Sequence, residues 1–437
     1  MTDHPLRVLI VGAGIGGLAL GQALVAAGGV DVRIAERNPD AAAWLDGYRL
    51  NINPDGSRAL HRCLPTPLWE AFVATSPTPP GGISFRTEQL RELFTVTRED
   101  MIRGSTDPAD GQYGVSRRVL RTLLLTGLED RIRFAAEFER YTVAADGTVT
   151  AHFADGAAIA ADVLVGADGA NSRVRRQYLP HAERVPADAG GIGARLPLDD
   201  GTRAWLPRPL TEGMTLVMPP SGPASMFTSA FPGRDALTAA ISDGVGLDGR
   251  GLDQDTLLDH SDDYVLWSVI ADPRVLPDDA ADGRALRDAA LDLTRGWSPA
   301  LRRLIADSDP ASTGVMRFRH STLVGPWTST IVTLLGDAIH NMPPVGGLGA
   351  NSALRDAAAL ADQLLAARDG APLVPAIATY EAQMRDWGYA AVRRSLANSR
   401  RATSSSPVAR RAGRAALRVR GALRRRPRQP RHATVRA

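Results

Sequence analysis

The residue pattern with the clearest chemical meaning lies near the N-terminus, where three glycines follow the apolar run of residues 8–11. Their G-x-G-x-x-G spacing predicts a tight turn at Gly12, a backbone that a pyrophosphate can approach at Gly14, and a helix packed closely on its strand at Gly17. Free N–H groups and the dipole at the start of that helix favour anions. Glu36 ends the next apolar run, about twenty residues beyond, where a carboxylate can accept both hydroxyls of an adenosine ribose. The pattern predicts a strand–helix–strand unit that binds a dinucleotide.

Two other interpretations of this apolar segment are disfavoured by its glycines. A secretory signal needs a continuous apolar core and a cleavage site, and seven glycines between positions 12 and 29 interrupt such a core. The same glycines argue against a membrane-spanning helix, although no charged residue lies between positions 8 and 30.

Two later segments place carboxylates directly after apolar strands. Residues 161–175 run from a predicted strand into Asp168-Gly169, and residues 331–357 run from another into Gly336-Asp337, a glycine-rich turn and a helix. A carboxylate at the end of an apolar strand marks the ligand edge of an open α/β sheet, which favours a binding role for Asp337. For Asp168, a simple N-cap of the following helix is an equally good explanation.

Taken in this order, the three motifs resemble the group A flavoprotein monooxygenases, which share the fold of para-hydroxybenzoate hydroxylase. The third motif carries an H-x-x-x-P-x-x-G-x-G pattern that starts at His340. Residues 47–60 (GYRLNINPDGSRAL) are similar to the family's stretch after the second strand, and Arg117-x-x-Leu120 is similar to its helix arginine. The resemblance spans residues 8 to about 359, and only the middle, 189–310, carries no family motif.

The resemblance implies non-covalently bound FAD and assigns roles to individual residues. Glu36 would bind the adenosine ribose, Arg117 would reach the pyrophosphate, Asp168 would support the pyrophosphate site, and Asp337 would hydrogen-bond the ribityl chain. Pro344 and the backbone from 346 to 350 would line the isoalloxazine. The full set of expected cofactor-binding residues is Gly12, Gly14, Ile15, Gly16, Gly17, Glu36, Arg37, Arg49, Arg117, Asp168, Gly336, Asp337, Pro344, Gly347, Gly349, Ala350 and Asn351.

The isoalloxazine assignment also has an independent physical reason. Reduced flavin needs stabilisation of negative charge at its N1–C2 carbonyl edge, and backbone N–H groups at the start of the predicted helix 351–367 supply it without a charged side chain. Three other residues have simpler explanations. Arg117 lies beside Arg118 and Arg121, as on a solvated helix face, His340 is typical of a structural turn residue, and a surface role suits Arg49 nearly as well as a flavin contact.

Composition excludes several classes of site. The single cysteine, Cys63, excludes an internal disulfide, a cysteine zinc site and a redox dithiol, and predicts an intracellular, cytoplasmic protein. The eight histidines are scattered singly, so we expect no metal centre. All 51 basic residues are arginine. Flavin-dependent halogenases have a similar FAD fold but rely on a catalytic lysine, and this chain has none.

The C-terminal segment carries most of the positive charge. Residues 400–437 hold 13 arginines and no Asp or Glu, so the remainder of the chain has a formal charge of 3 − 13 = −10. A disordered tail, a helix on anionic lipid and a docking segment for a partner all fit. The apolar face of a helix there would consist of Val408, Ala412, Ala415, Val419 and Leu423. Because that face is shallow and lacks aromatic residues, we expect a mostly disordered tail. Membrane contact is a less favoured alternative, and nucleic-acid binding is not expected as a main function.

The expected fold class is α/β, with a Rossmann-like FAD-binding domain, an inserted sheet-rich (α+β) substrate domain and a C-terminal helix. The FAD-binding domain is assigned to residues 1–76, 103–186 and 315–370, and the substrate domain to 77–102 and 187–314. Residues 371–402 form the predicted C-terminal helix and 403–437 the basic tail.

The predicted activity is that of a single-component monooxygenase. No second glycine fingerprint opens another strand–helix–strand unit, so the reductant must either dock transiently beside the flavin or come from another protein. The family resemblance implies that NADH or NADPH reduces FAD directly. O₂ would then form a flavin C4a-hydroperoxide that hydroxylates or epoxidises a large apolar or aromatic substrate. The expected substrate wall is Trp205, Met214, Met218, Met226, Phe227 and Phe231, although each of them taken singly is more typical of ordinary core. No catalytic residue is nominated. The alternatives are a flavin dehydrogenase or reductase on the same fold and a non-redox flavin-binding accessory protein.

Overall fold

The computed structural model describes residues 4–40, 50–76, 82–102, 104–231 and 263–425. Within these ranges, the strands are β1 (Leu6–Val11), β2 (Val30–Ala35), β3 (Leu50–Ile52), β4 (Ile83–Arg86), β5 (Glu92–Val96), β6 (Tyr113–Val115), β7 (Ile132–Arg133), β8 (Phe138–Val143), β9 (Val149–Phe153), β10 (Ala158–Ala161), β11 (Val163–Gly166), β12 (Arg184–Pro197), β13 (Met214–Val217), β14 (Ala224–Phe231), β15 (Tyr264–Ala271), β16 (Gly314–Ser321) and β17 (Val332–Leu334).

The α-helices in the same ranges begin with the one that follows the glycine fingerprint. They are α1 (Ile15–Ala27), α2 (Pro54–Cys63), α3 (Thr66–Thr75), α4 (Arg98–Ile102), α5 (Arg117–Leu125), α6 (Arg173–Tyr178), α7 (Asp200–Trp205), α8 (Arg208–Thr211), α9 (Gly283–Leu293), α10 (Pro299–Ala306), α11 (Asp337–His340), α12 (Gly349–Arg368), α13 (Leu373–Thr403) and α14 (Pro407–Arg425). No helix among the described residues combines the length and the apolar character that crossing a bilayer requires.

The nucleotide-binding part is built on a five-stranded parallel sheet in the order β17-β11-β1-β2-β7. Its central strands are continuous apolar runs, since helices cover both faces of such a sheet. The carboxyl ends of β1, β11 and β17 lie side by side, because Val11 pairs with Gly166 and Gly166 with Leu334. The three motifs that follow these strands therefore meet at one sheet edge, which confirms the predicted Rossmann-like fold class.

A second, seven-stranded sheet has the order β16-β12-β15-β14-β13-β4-β5 and is antiparallel except where β13 pairs with β4. One face packs against α9 and α10 around the fully buried Trp267. The opposite face, with Ile270 and Phe318, packs against Val345 in the glycine-rich turn that precedes α12. This contact brings the inserted sheet to the ligand edge of the first domain.

The return from the inserted sheet lies later in the chain than we predicted. We assigned residues from 315 onward to the FAD-binding domain, but β16 pairs with β12 from Gly193↔Gly314 to Arg184↔Ser321 and so completes the seven-stranded sheet. The alternating pattern of β16 indicates a strand but cannot indicate which sheet the strand joins, because both domains offer an edge.

The C-terminal region also differs from the prediction. We expected a mostly disordered tail from residue 403, whereas the structure has the helix α14 over Pro407–Arg425. The helix packs against β5 and its arginines bond to the inserted sheet, including a hydrogen bond from the Arg414 guanidinium to Glu88 at 2.9 Å. We predicted disorder because the apolar face of this helix is shallow, but its contacts with the inserted sheet are made by arginines of the polar face.

The long helix α13 is fastened to the FAD-binding sheet by buried polar contacts. The Glu381 carboxylate accepts hydrogen bonds from Thr333 at 2.9 Å and Ser329 at 2.5 Å, and the Tyr380 hydroxyl donates to the Leu334 carbonyl at 2.9 Å. Burial raises the pKa of Glu381, although these hydroxyl donors oppose the shift. From this anchor, α13 extends across the inserted sheet and spans both domains.

Candidate functional site

The glycine fingerprint forms the first part of the candidate site, at the start of α1. Gly12 has a φ of +112°, and a Cβ there would lie 2.4 Å from the Ala167 carbonyl oxygen, so only glycine fits the turn. A Cβ on Gly17 would lie 2.1 Å from the Gly12 oxygen. Gly14 is different, because a Cβ there would meet no protein atom within 4 Å. Gly14 therefore faces open space in front of the free N–H groups of the first turn, which begins with Ile15 and Gly16.

Glu36 lies beside this loop, at the end of β2. Its carboxylate is buried and accepts hydrogen bonds from the N–H groups of Ala13 at 2.8 Å and Asn38 at 2.9 Å. The carboxylate retains lone pairs for further donors such as ribose hydroxyls. Arg37, the next residue in our expected set, is exposed.

Helix α5 contributes two arginines, of which sequence reasoning nominated one. Arg117 is exposed, and its charge partly opposes the rise in the pKa of Asp337 that desolvation causes. Arg121 lies one turn further along the same face, is 4% exposed, and donates from Nε to the Ala13 carbonyl at 3.3 Å. Burial lowers the pKa of Arg121, and the nearby Glu36 charge opposes that shift. The missed signal was the i,i+4 spacing of these two arginines, which puts both on one helix face.

Asp168 supports the loop from behind. Its Oδ2 accepts hydrogen bonds from the N–H groups of Arg173 at 2.7 Å and Val174 at 3.3 Å, as the helix-capping interpretation requires. Its Oδ1 is buried and has no hydrogen-bond partner in the described structure. Burial raises the pKa of Asp168, and hydrogen bonds from Ser172 and the two backbone groups oppose the shift. Asp168 thus fixes the chain that packs against Gly12.

Asp337 lies at the ligand edge of the sheet, immediately after Gly336, whose φ is +63°. Its side chain is exposed to the cleft but lies deep among protein atoms, so desolvation raises its pKa, and the charges of His340, Arg117 and Arg184 act in the opposite direction. A Cβ on Gly349 would lie 3.7 Å from the Asp337 Oδ1, which places this carboxylate against the start of α12. It is the acceptor most open to a ligand hydroxyl.

Beneath this turn lies a buried pair that sequence reasoning did not identify as a unit. His340 Nε2 lies 2.6 Å from Asp356 Oδ2, and both side chains are fully buried. The same Oδ2 accepts the Gly336 N–H at 2.8 Å, and the other oxygen accepts the Trp387 indole N–H at 2.7 Å. Burial favours the neutral ring, but the charge and hydrogen bond of Asp356 prevail and raise the pKa of His340. His340 is thus a structural residue that holds the Gly336 turn.

The glycine-rich turn before α12 presents backbone to the cleft. Pro344, Gly346 and Gly347 are exposed, and the two glycines have φ values of +108° and +63°. The N–H groups of the first turn of α12, which starts at Gly349 and Ala350, point from the helix N-terminus toward the same space.

Asn351 performs a different task from the one expected. Its amide NH₂ donates to the carbonyls of Asn51 at 2.9 Å and Gly347 at 2.8 Å, while its oxygen accepts the Asn53 N–H at 2.9 Å. These three bonds tie the turn to the end of β3. Asn351 therefore positions the turn, and its side chain does not face the cleft. Arg49 lies outside the described residues.

These elements fit an extended dinucleotide such as FAD. A buried carboxylate at Glu36, open space with free N–H donors at Gly14 and an exposed carboxylate at Asp337 follow one another along the sheet edge. The glycine turn with the α12 N-terminus completes the row, so that the ribose, pyrophosphate, ribityl chain and ring edge of a bound FAD would each have a chemically matching partner. Burial raises the pKa of the Cys63 thiol to about 12, so that thiol is unreactive and not available for a covalent flavin link.

The expected substrate wall divides between the two faces of the inserted sheet. Met226 and Phe227 are consecutive in β14, so their side chains point to opposite faces. Met226 belongs to the core beneath α9 and α10, and Trp205 packs beside that core under Arg303. Phe227 packs with the cluster that includes Val345, and pairing with Leu216 puts Met214 on the same face.

Of the six predicted wall residues, Met226 is therefore a core residue and the partly buried Trp205 packs on the same core, because alternation reveals two faces without saying which one meets a ligand. Phe231 shares the Phe227 face by its spacing of four and lies 5.2 Å from the Tyr264 ring. Met218 lies just beyond the end of β13 and is half-buried.

Comparisons with known protein families agree with this site. Residues 10–74 match the model of the NAD(P)-binding Rossmann-like domain, and residues 298–395 match that of the FAD binding domain. The first range contains the glycine fingerprint and Glu36, and the second contains Asp337 and the glycine-rich turn.

Individual proteins are similar over most of the chain. A solved structure from Photorhabdus luminescens, described as an FAD-containing monooxygenase, is 34% identical with a TM-score of 0.78, and the match covers 91% of this chain and 98% of that one. A dual O-methyltransferase/FAD-dependent monooxygenase of Cercospora beticola is 33% identical over 90% of this chain, which spans 46% of that longer relative. The 3-amino-4-hydroxybenzoate 2-monooxygenase of Streptomyces cremeus is 27% identical, with 85% of this chain and 82% of the relative covered.

Proposed function

This chain belongs to the group A FAD-dependent monooxygenases with the para-hydroxybenzoate hydroxylase fold, and from that premise we propose that it uses NADH or NADPH and O₂ to insert one oxygen atom into an aromatic organic substrate. The observation that carries the proposal is the position of the glycine-rich turn. Val345 in that turn packs on the apolar face of the inserted sheet, so a flavin ring held by the turn would lie beside a wall for an apolar substrate.

The cofactor supplies the redox chemistry when bound, since FAD accepts a hydride from a reduced nicotinamide and activates O₂ in its reduced form. The protein supplies binding and orientation. Glu36 would accept the ribose hydroxyls, the N-terminus of α1 would face the pyrophosphate, and Asp337 would accept a ribityl hydroxyl. The backbone N–H groups at the start of α12 would stabilise negative charge at the ring edge.

The substrate wall supports an aromatic or large apolar substrate. Phe227, Ile270 and Phe318 contribute apolar surface to the face that adjoins the turn. The relatives whose names specify a substrate include an aminohydroxybenzoate hydroxylase, which suggests a phenol-like ring as the first class to test. The chain spans about half the length of the Cercospora relatives, so the proposal concerns a monooxygenase activity alone.

We also propose a cytoplasmic location. The support is the single buried thiol at Cys63, which suits a reducing compartment where NADH and NADPH are available.

The decisive experiment follows oxygen rather than NAD(P)H alone. Purified holoprotein would be screened against substituted phenols and larger polycyclic phenols by substrate-stimulated NADH or NADPH oxidation. The responsive compound would then be converted under ¹⁸O₂ and its product analysed by mass spectrometry. The proposal predicts one ¹⁸O atom in the product.

Two other outcomes would point elsewhere. Turnover with intact NAD(P)H oxidation but no ¹⁸O in any product would indicate a dehydrogenase or reductase. A bound flavin that neither NADH nor NADPH reduces, with or without the aromatic compounds, would indicate a non-redox flavin-binding protein.

A further inference from the structure

The C-terminal helix α14 is attached to the protein by its polar face. The Arg410 guanidinium is 5% exposed and donates to the Ser225 hydroxyl at 3.1 Å and the Ala402 carbonyl at 2.9 Å. Arg414 is 8% exposed and pairs with Glu88. Further along, the Arg420 guanidinium lies 5.0 Å from the centre of the Phe94 ring. The arginines thus hold the helix on the edge of the inserted sheet.

Three of the four large aliphatic residues of the same helix point away from the protein, and the fourth, Leu417, is half-buried. Val408, Val419 and Leu423 are 76%, 58% and 62% exposed. With the exposed Ala412 and Ala415 they form one face, which we call the outer stripe. An amphipathic helix on a globular protein normally turns its apolar stripe toward the core, so this orientation leaves apolar surface for an external contact.

Charge indicates what covers the outer stripe. The exposed Arg411 and Arg418 lie along one border of the stripe, and residues 400–437 contain 13 arginines and no acidic residue, while the rest of the chain has a formal charge of −10. We propose that the outer stripe and its bordering arginines dock α14 on an anionic lipid surface. A second copy of this protein is a poorer occupant, because two outer stripes packed against each other would bring the arginines at their borders close together.

The expected binding is reversible and depends on both contributions. The stripe has only three large aliphatic side chains and no aromatic anchor, so apolar burial alone gives weak attachment. Attraction of the arginines to anionic headgroups supplies the rest, and this part is lost when salt screens the charges. The proposal rests on the residues and charge of α14 alone, so it does not depend on the proposed function.

The test is co-sedimentation of the full-length holoprotein with lipid vesicles. We expect binding to vesicles of phosphatidylcholine mixed with phosphatidylglycerol, little binding to phosphatidylcholine alone, and release in about 1 M salt, where the screening length falls to about 3 Å. The double substitution Val419→Asp with Leu423→Asp should lower the affinity by at least about tenfold. Its matched control is Val143→Asp with Val275→Asp, at sites 53% and 43% exposed on other surfaces, which adds the same charge and should leave binding unchanged.

Thermal unfolding and FAD content, measured for both double variants, show that folding is intact before binding is compared. Equal loss in both variants, equal binding to neutral and anionic vesicles, or no binding by the wild-type protein would overturn the proposal. So would a concentration-dependent dimer in analytical ultracentrifugation that only the stripe variant abolishes, because that result would make a second copy the occupant.

Discussion

Replacing Gly14 with alanine separates the ligand-binding role of the glycine fingerprint from its structural role. Gly14 has a φ of −75° and a ψ of 178°, which alanine adopts freely, and the added methyl would meet no protein atom within 4 Å. Alanine restricts the unfolded chain but caps a helix less well than glycine, and these effects offset each other. The free energy of unfolding of FAD-free protein should therefore change by less than about 1 kcal/mol.

The methyl would instead occupy the space that we assign to the pyrophosphate. Overfilling a packed contact costs about 1–3 kcal/mol, so the FAD dissociation constant should rise about 5- to 150-fold. Gly17→Ala is the matched control, since its methyl would lie 2.1 Å from the Gly12 oxygen and should destabilise the FAD-free fold itself. Flavin fluorescence titration of FAD-free protein measures affinity, and urea unfolding measures stability. Wild-type FAD affinity in Gly14→Ala would refute the placement of the pyrophosphate.

Four further substitutions test other parts of the molecule. Asp356→Asn should destabilise the fold by about 3–5 kcal/mol, because it breaks a buried pair. The pKa of His340 is raised in the folded protein, so the pair contributes its full stability below pH 6.5 and loses it as the pH rises through the folded pKa. Urea unfolding should therefore show a larger loss of stability in Asp356→Asn at acidic pH than at basic pH. Phe227→Ala should raise the KM for the substrate that the NAD(P)H-oxidation screen identifies. Met226→Ala should instead lower the free energy of unfolding by about 2–5 kcal/mol and leave KM unchanged. Equal effects of the two substitutions on KM would contradict the assignment of the two sheet faces. Glu36→Ala should weaken FAD binding about 10- to 150-fold in the fluorescence titration.

The parts of the site that could be predicted from the sequence are those set by local backbone requirements. Gly12 needs a positive φ and Gly17 allows close packing, and both requirements appear directly as glycine in a fixed spacing. The Gly336-Asp337 pair is similarly recognisable, because the carboxyl end of a parallel strand is where a ligand meets the sheet. In these places the chemistry and the chain geometry come from neighbouring residues.

The remaining features depend on residues that are distant in the chain. Asp356 holds the Gly336 turn from 20 positions away, and no local pattern distinguishes it from Asp362, the other acidic residue of α12. Asn351 lies two residues after the H-x-x-x-P-x-x-G-x-G pattern, but its partner Asn51 lies 300 positions earlier, so its bridging role was not visible in the sequence. For α14, the sequence showed which residues form the apolar face of a helix. The direction in which that face points depends on the positions of the hydrogen-bond acceptors of Arg410, which lie far away in the chain or outside the helix.

Helix α12 explains how the site can be ready before FAD arrives. At its first turn, Asn351 holds the Gly347 carbonyl, and one and a half turns later Asp356 holds the Gly336 N–H, so a single 20-residue helix positions both turns that face the cleft. These turns contain positive-φ glycines, which have the most backbone freedom to lose on ordering. Folding has already ordered these turns through side chains that do not face the ligand. FAD binding therefore does not have to provide the free energy that ordering them costs. In the proposed function, the N–H groups at the start of α12 would then be oriented before negative charge developed at the flavin ring edge, which is the condition under which fixed dipoles stabilise charge most effectively.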